Sequence, residues 1–270
     1  MTTPDRTPDG WSTAARQYDL HVTKLTTPFA RQIVTSLGLA AGHRFLDVAA
    51  GTGALTLAAA ATGAQVMATD FAPAMLDRLR LRLEANNVRG VETAVMDGQA
   101  LDVADQSFDM AGSNFGVIFF PDRGRGFKEL YRVLRLGGRA GITAWAEADK
   151  NPGLALFGQA VQEALPDLPR ATEPPAVLSL ADPSTFAGEL RRAGFSEVEL
   201  QPVASAWTFP SPEAVWDELH AASPVFSAVL ERAGDRVADV RAALVARVRR
   251  EHGDGPVRLP ALAWLAIASK

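Results

Sequence analysis

Apolar and polar positions along the chain fall into two alternating rhythms. From Trp11 to Leu39 the spacing is helical: Ala14, Tyr18, His21 and Leu25 recur at three and four residues, and "TPFARQIVTSLGL" continues as a second helix opened by Pro28 and closed at Gly38. Short apolar runs then alternate with helical stretches. The runs are "RFLDVA", "QVMATD", "VETAVMD", "SFDMAGS" and "RAGITAW". Between them a helix begins near Ala54, another reads "FAPAMLDRLRLRLEANN" with Pro73 in its first turn, and a third reads "DRGRGFKELYRVLRLGG", ended by Gly137 and Gly138. Strand and helix units joined by short loops predict a parallel sheet with helices on both faces.

The rhythm loosens after Trp145. A helix, "GLALFGQAVQEAL", and a Pro-rich link, "LPDLPRATEPPAVL", precede "DPSTFAGELRRAGF" and the strand "SEVELQPVASAW". A helical stretch from Ser211 to Gly253 follows, and the chain closes on the strand "VRLPALAWLAIAS". The expectation is a doubly wound, mostly parallel α/β sheet of seven strands, Rossmann-like, occupying residues 41–270. Helical insertions are placed at about 147–181 and 211–253, with a helical leader at 11–40. Residues 1–10, rich in Pro, Thr and Asp, are expected to be disordered. The leader and both insertions are expected to meet over the carboxyl ends of the strands, where ligands of such sheets bind.

Composition narrows the chemistry. The 270 residues, 47% of them hydrophobic, bury a core without staples. Lys plus Arg is 27 against 31 Asp plus Glu, and no segment concentrates positive charge, which disfavours nucleic acid as a partner. The absence of cysteine removes disulfides, thiolate metal sites and cysteine nucleophiles, and no metal site is expected. No apolar run spans a bilayer, and neither a signal peptide nor a membrane partner is expected, which points to the cytoplasm.

The informative stretch is "FLDVAAGTGALTLAAAA", a strand, a glycine hinge and the start of a helix. Such a hinge brings bare backbone N–H groups against a ligand. A dinucleotide fingerprint calls for a third glycine, and Thr56 stands there instead. Asp47, at the end of the strand, would repel a pyrophosphate yet suits an ammonium and a sulfonium. Asp70 closes the second strand, placed to accept ribose hydroxyls, and Phe71 beside it is placed to pack on a ring. Taken alone, Gly51 and Gly53 also read as a tight turn, Asp70 as a helix cap and Asp97 as a turn former.

"LDVAAGTGALT" resembles the first motif of class I S-adenosylmethionine-dependent methyltransferases. "SNFGVIFFPDRGRGFKELYRVLRLGGR" is similar to their ubiquinone/menaquinone-biosynthesis-like, small-molecule subgroup; the likeness runs over about residues 45–145. It implies S-adenosyl-L-methionine as cofactor, held by Asp47, Ala49, Gly51, Thr52, Gly53, Asp70, Phe71 and Met75, by Asp97, Gly98 and Gln99 at the adenine, and by Ser113, Asn114 and Phe115 along the methionine. Relatives carry a histidine after the fourth strand, where Val117, Ile118 and Phe119 stand here.

Methyl transfer needs alignment, exclusion of water and sometimes a base. Location makes His21 the first candidate, with Tyr18 on the same leader face and His220 on the second insertion as rivals; His43 and His252 read as solvated. Trp11, Phe119, Phe120, Trp145, Trp207, Trp216 and Phe226 are candidates for an apolar or aromatic substrate's pocket, or for ordinary core. The arginines of "RVADVRAALVARVRREHG" read as a solvated face rather than a phosphate grip. An NAD(P)-dependent oxidoreductase and a non-catalytic cofactor-binding module remain as alternatives. Neither the substrate, the acceptor atom nor the oligomeric state is legible.

Overall fold

The computed structural model describes residues 3–168 and 175–270. Seven strands form one sheet: β1 (Arg44–Val48), β2 (Gln65–Asp70), β3 (Val91–Val95), β4 (Phe108–Asn114), β5 (Leu134–Trp145), β6 (Glu197–Phe209) and β7 (Val257–Ser269). Their order is β3-β2-β1-β4-β5-β7-β6. All neighbours pair parallel except β7, which runs antiparallel to both β5 and β6. Strand order reverses between β1 and β4, so a crevice opens at their carboxyl ends.

The helices are α1 (Pro8–Gln17), α2 (Thr23–Leu37), α3 (Ala54–Ala60), α4 (Pro73–Ala85), α5 (Arg123–Val133), α6 (Pro152–Ala164), α7 (Pro183–Ala193), α8 (Pro212–Leu219), α9 (Pro224–Glu231) and α10 (Val237–His252). The central strands carry near-continuous burial because helices cover both faces: Phe45, Leu46, Ala111, Ala140 and Ile142 are fully enclosed. β6 and β7 pair as a long ribbon, from Glu197 with Ser269 to Phe209 with Val257. β5 reaches only Trp145, opposite Ala263, so the far half of the ribbon rises past the sheet.

Three sequence expectations are corrected. Residues 3–10 are ordered: a short 3-10 helix at Pro4–Arg6 leads into α1, and the Trp11 indole N–H donates to the Asp5 carbonyl at 2.8 Å. One buried tryptophan is enough to pin a polar segment. Pro28 does not open a helix; it lies inside α2, where burial of Phe29, Ala30, Ile33 and Leu37 outweighs the lost hydrogen bond, and Gly38 closes the helix in the left-handed conformation. Gly137 and Gly138 do not end α5, which stops at Val133. They sit in β5 where its register with β4 shifts, and Gly137 N–H and Gly138 carbonyl pair with Lys270. The Pro-rich link at 165–178 lies partly outside the described residues.

Between α1 and α2, Tyr18–Val22 forms a π turn, with the Thr23 N–H donating to the Tyr18 carbonyl. The leader is therefore one nearly continuous rod with an extra residue inserted, which rotates His21 relative to Tyr18.

Candidate active site

The crevice between β1 and β4 opens into a cleft whose empty space, open solvent included, is about 840 Å³. Its floor is backbone bent into the left-handed region at Ala49 (φ 56°), Gly51 (φ 55°) and Phe115 (φ 62°). Two of these carry a Cβ, and such strain persists where surrounding structure enforces it, often at ligand sites. Gly116 keeps the cleft open: a Cβ there would stand 2.4 Å from the Ala49 Cβ.

Asp47 is fully buried at the end of β1. Its Oδ2 accepts the Thr56 hydroxyl at 2.6 Å, while Oδ1 has no partner in the protein. Burial pushes its pKa up to about 7, Thr56 opposes, and Asp70 adds to the rise. Asp70 accepts the Gly51 N–H at 2.8 Å and the Ala72 N–H at 2.9 Å; burial raises it to about 6 against those bonds and one from the Phe71 N–H. The carboxylate retains a lone pair for a ligand. Asp70 therefore ties the hinge to the start of α4 as well as facing the cleft.

Ala49, Gly51, Thr52, Phe71, Met75, Asp97, Gly98, Gln99, Asn114 and Phe115 line the same cleft as the two carboxylates. Asp97 also forms a turn, accepting the Gln99 N–H at 2.9 Å, and Gln99 Oε1 accepts the Asp122 N–H at 2.8 Å. Asn114 Oδ1 accepts the Thr143 hydroxyl at 2.9 Å, and that hydroxyl accepts the Phe115 N–H at 3.1 Å, fixing the end of β4. Gly53 is the exception. It adopts φ 90° at the start of α3 and lies against Leu79 of α4, where an added Cβ would stand 2.2 Å from Leu79 Cδ1, so it packs two helices and does not line the cleft.

A second cavity of about 500 Å³ adjoins the first and shares Trp11, Tyr18, Thr26, Phe115 and Phe119 with it. The leader, both insertions and the sheet contribute to its wall, including Val22, Leu154, Val177, Leu219, Phe226, Trp145 and Trp207. Phe115 stacks on Trp145 at 3.9 Å and Trp207 meets Trp145 edge-on at 5.6 Å. Two aromatic candidates fall elsewhere. Phe120 lines the first cleft over Gly98, and Trp216 is core, stacked on Phe157.

The histidines are corrected. His21 lines neither cavity: the π turn carries its Nδ1 to 3.5 Å from Glu218 of α8, beside Lys24, whose Nζ is 2.6 Å from the same carboxylate. His220 lines neither cavity; its ring lies parallel on Trp216 and its Nδ1 is 2.9 Å from the Trp216 carbonyl. Tyr18 stands where the two cavities join, and burial together with Asp70 pushes its phenol upward, so it stays protonated. On α10, Arg241, Arg247 and Arg249 pair with Asp217, Glu163 and Glu213 while Val240, Leu244 and Val248 are buried, a solvated face.

Sequence reasoning missed Thr56 as the partner of Asp47, although its place at the third glycine position of the hinge marked it. It also missed Gly116, Thr26, Thr143 and Met96, whose neighbours in space come from other strands. The residues fit a cationic nucleoside: an unpartnered buried carboxylate oxygen, a cradle that a Cβ would fill, and a second carboxylate one strand away.

Comparison with known proteins agrees. The family described as "Methyltransferase domain" matches residues 46–142. An uncharacterized protein of Mycobacterium tuberculosis (strain ATCC 25618 / H37Rv) is 38% identical over 132 residues, 49% of this chain and 48% of that protein, so the match spans about half of that relative's length. A demethylmenaquinone methyltransferase of Mycobacterium sp. (strain KMS) is 33% identical over 197 residues, 68% of this chain and 83% of that protein. The solved YcgJ protein of Bacillus subtilis superposes with a TM-score of 0.54 at 19% identity over 89% of this chain and 97% of its own, a likeness of fold. The chain belongs to the class I S-adenosylmethionine-dependent methyltransferases, of the ubiquinone/menaquinone-biosynthesis-like type. S-adenosyl-L-methionine is the cofactor of that family. Among the described residues no helix is long and apolar enough to cross a membrane.

Proposed function

We propose that the protein transfers a methyl group from S-adenosyl-L-methionine to a small apolar or aromatic metabolite held in the second cavity. The observation that carries this reading is the junction: a cleft with a negative seat opens into an aromatic-walled cavity across Trp11, Tyr18, Thr26, Phe115 and Phe119. Asp47 and the hinge at Gly51 would hold the amino-acid tail, Asp70 the ribose, and Asp97 with Gln99 the adenine side. When bound, the cofactor supplies a methyl on a sulfonium, displaced in line by a nucleophile.

The chain's own part is position and exclusion of water. Trp11 and Tyr18 close the leader over the junction, and Phe115, rigid against Trp145, shapes its floor. Among the described residues lining the second cavity, Tyr18 is the one titratable group. Its phenol, held protonated and bonded to Thr26, does not take the acceptor's proton. The acceptor therefore enters as a nucleophile that is already basic. The relative named demethylmenaquinone methyltransferase acts, by its name, on demethylmenaquinone, which favours a small-molecule acceptor of that class here.

The test is transfer of isotope-labelled methyl from S-adenosylmethionine to a panel of naphthols, naphthoquinols, aliphatic amines and carboxylates. Labelled product from ring acceptors, abolished in Gly116→Val, is expected. Product from the amines or carboxylates alone, or none from the whole panel, contradicts the assignment of acceptor class.

A further inference from the structure

The wall of the second cavity is apolar except at Tyr18, Thr26, Ser223 and the indoles of Trp11, Trp145 and Trp207. Trp145 lies with its ring stacked on Phe115, and four of the other five polar groups are engaged. The Trp11 N–H donates to Asp5, the Tyr18 hydroxyl is bonded to Thr26, the Thr26 hydroxyl donates to the Thr23 carbonyl, and Ser223 caps α9 by accepting the Val225 N–H. Trp207 is different. Its side chain is buried, 5% exposed, and its Nε1 has no hydrogen-bond partner.

The orientation of the ring follows from its neighbours. A Cβ added at Gly153 of α6 would stand 2.8 and 2.9 Å from Trp207 Cε3 and Cζ3, so the benzo edge faces that helix. The pyrrole edge with Nε1 lies on the opposite side of the indole, and the residue lines the cavity. Trp145 meets the ring nearly perpendicular, at 83°, and holds it in place. The far half of the β6–β7 ribbon, beyond the level where β5 ends, carries Trp207 to this height. A buried indole N–H without a partner is unfavourable, and tryptophan in folded interiors finds one as a rule.

We infer that Trp207 is a specificity-determining residue whose indole N–H donates a hydrogen bond to an oxygen acceptor, a ring carbonyl or ether, on an otherwise apolar substrate. This rests on reading the second cavity as the acceptor site. A fixed donor in an apolar wall selects in one direction: an oxygen there completes the bond, a hydrocarbon leaves the N–H unpaired, and an N–H or ammonium of the ligand meets it donor to donor. The same side chain therefore separates oxygenated rings from hydrocarbons and amines of equal size.

The test uses the protein saturated with S-adenosylhomocysteine and a matched pair of probes, 1-tetralone and tetralin, which differ in one carbonyl. The five tryptophans give five indole N–H resonances in a ¹⁵N-labelled sample, and Trp207→Phe identifies one of them by its loss. The expected result is a downfield shift of that resonance with 1-tetralone and none with tetralin. Trp207→Phe keeps an aromatic ring against Trp145 and Gly153; it weakens 1-tetralone on the order of tenfold and leaves tetralin nearly unchanged. Equal shifts from both probes, equal losses of both in the variant, or binding of neither to the loaded protein overturns the assignment while leaving the cofactor site standing. Failure of S-adenosylhomocysteine itself to bind overturns the functional reading and this inference with it.

Discussion

Asp47 is a carboxylate held ready for a positive charge. Its folded pKa of about 7 lies above the ordinary 3.8, so the folded, ligand-free protein binds more protons than the unfolded chain between those values. The stability this group contributes is full below about 3.8 and is lost as pH rises through about 7. Asp70, raised to about 6, adds the same sign over a narrower window. A cationic ligand stabilises the ionised forms. Affinity for S-adenosylhomocysteine, with its ammonium, is therefore expected to rise from pH 5 to 8, by at most about tenfold per pH unit for each group, with protons released on binding. Calorimetry in buffers of different ionisation heat checks this; a flat profile without proton release contradicts it. Thr56→Val removes the hydroxyl donor to Asp47, leaving the Thr56 N–H, and is expected to cost about 1–3 kcal/mol at pH 8 and less at pH 5, where the carboxyl is protonated, as read from urea denaturation at both pH values.

At the scale of the element, the glycine hinge divides into two tasks. Gly51 presents an N–H that Asp70 fixes, and Gly53 lets α3 and α4 approach. Gly53→Ala meets both a positive φ and the Leu79 side chain, and is expected to destabilise by about 1–3 kcal/mol with cofactor affinity kept in the surviving folded fraction. Thermal denaturation beside calorimetry separates the two effects. The sequence made the sheet legible because the strands are short runs, apolar at the centre of the sheet and alternating at its edges, set between turn residues, and the endpoints of β2 and β7 agree with the reading. The hinge was legible because its glycines and acids are close in sequence. The π turn at Tyr18–Val22 was not: one inserted residue leaves the apolar spacing looking helical while turning His21 from the cleft to Glu218. The β5 shift was hidden in the same way, since Gly137 and Gly138 serve a helix end and a bulge equally well.

Across the whole molecule, the second cavity exists through assembly of distant segments. The leader supplies Trp11 and Tyr18, the first insertion Leu154 and Val177, the second Leu219 and Phe226, and the β6–β7 ribbon Trp207. No local motif encodes such a site, which is why Trp216 and Trp207 look alike in the sequence and differ in role. The leader is clamped by Asp19, 2.6 Å from Arg78 of α4, and by Lys24 with Glu218 of α8. Ligand in the first cleft touches the leader through Trp11 and Tyr18, so S-adenosylhomocysteine is expected to slow amide exchange in residues 8–22 and, through the Glu218 contact, in 212–219. Protection confined to the hinge would mean that the leader is not a closing wall.

The seat around Asp47 remains the point on which the account turns. The most direct measurement is the dissociation constant of S-adenosylhomocysteine at pH 8 for the wild type and for Asp47→Asn, which keeps the shape of the side chain and the Thr56 bond while removing the charge. Loss of a charge-assisted contact predicts a weakening of roughly ten- to a hundredfold in a variant that is as stable as the wild type or more so without ligand. Unchanged affinity in the folded variant would contradict the account.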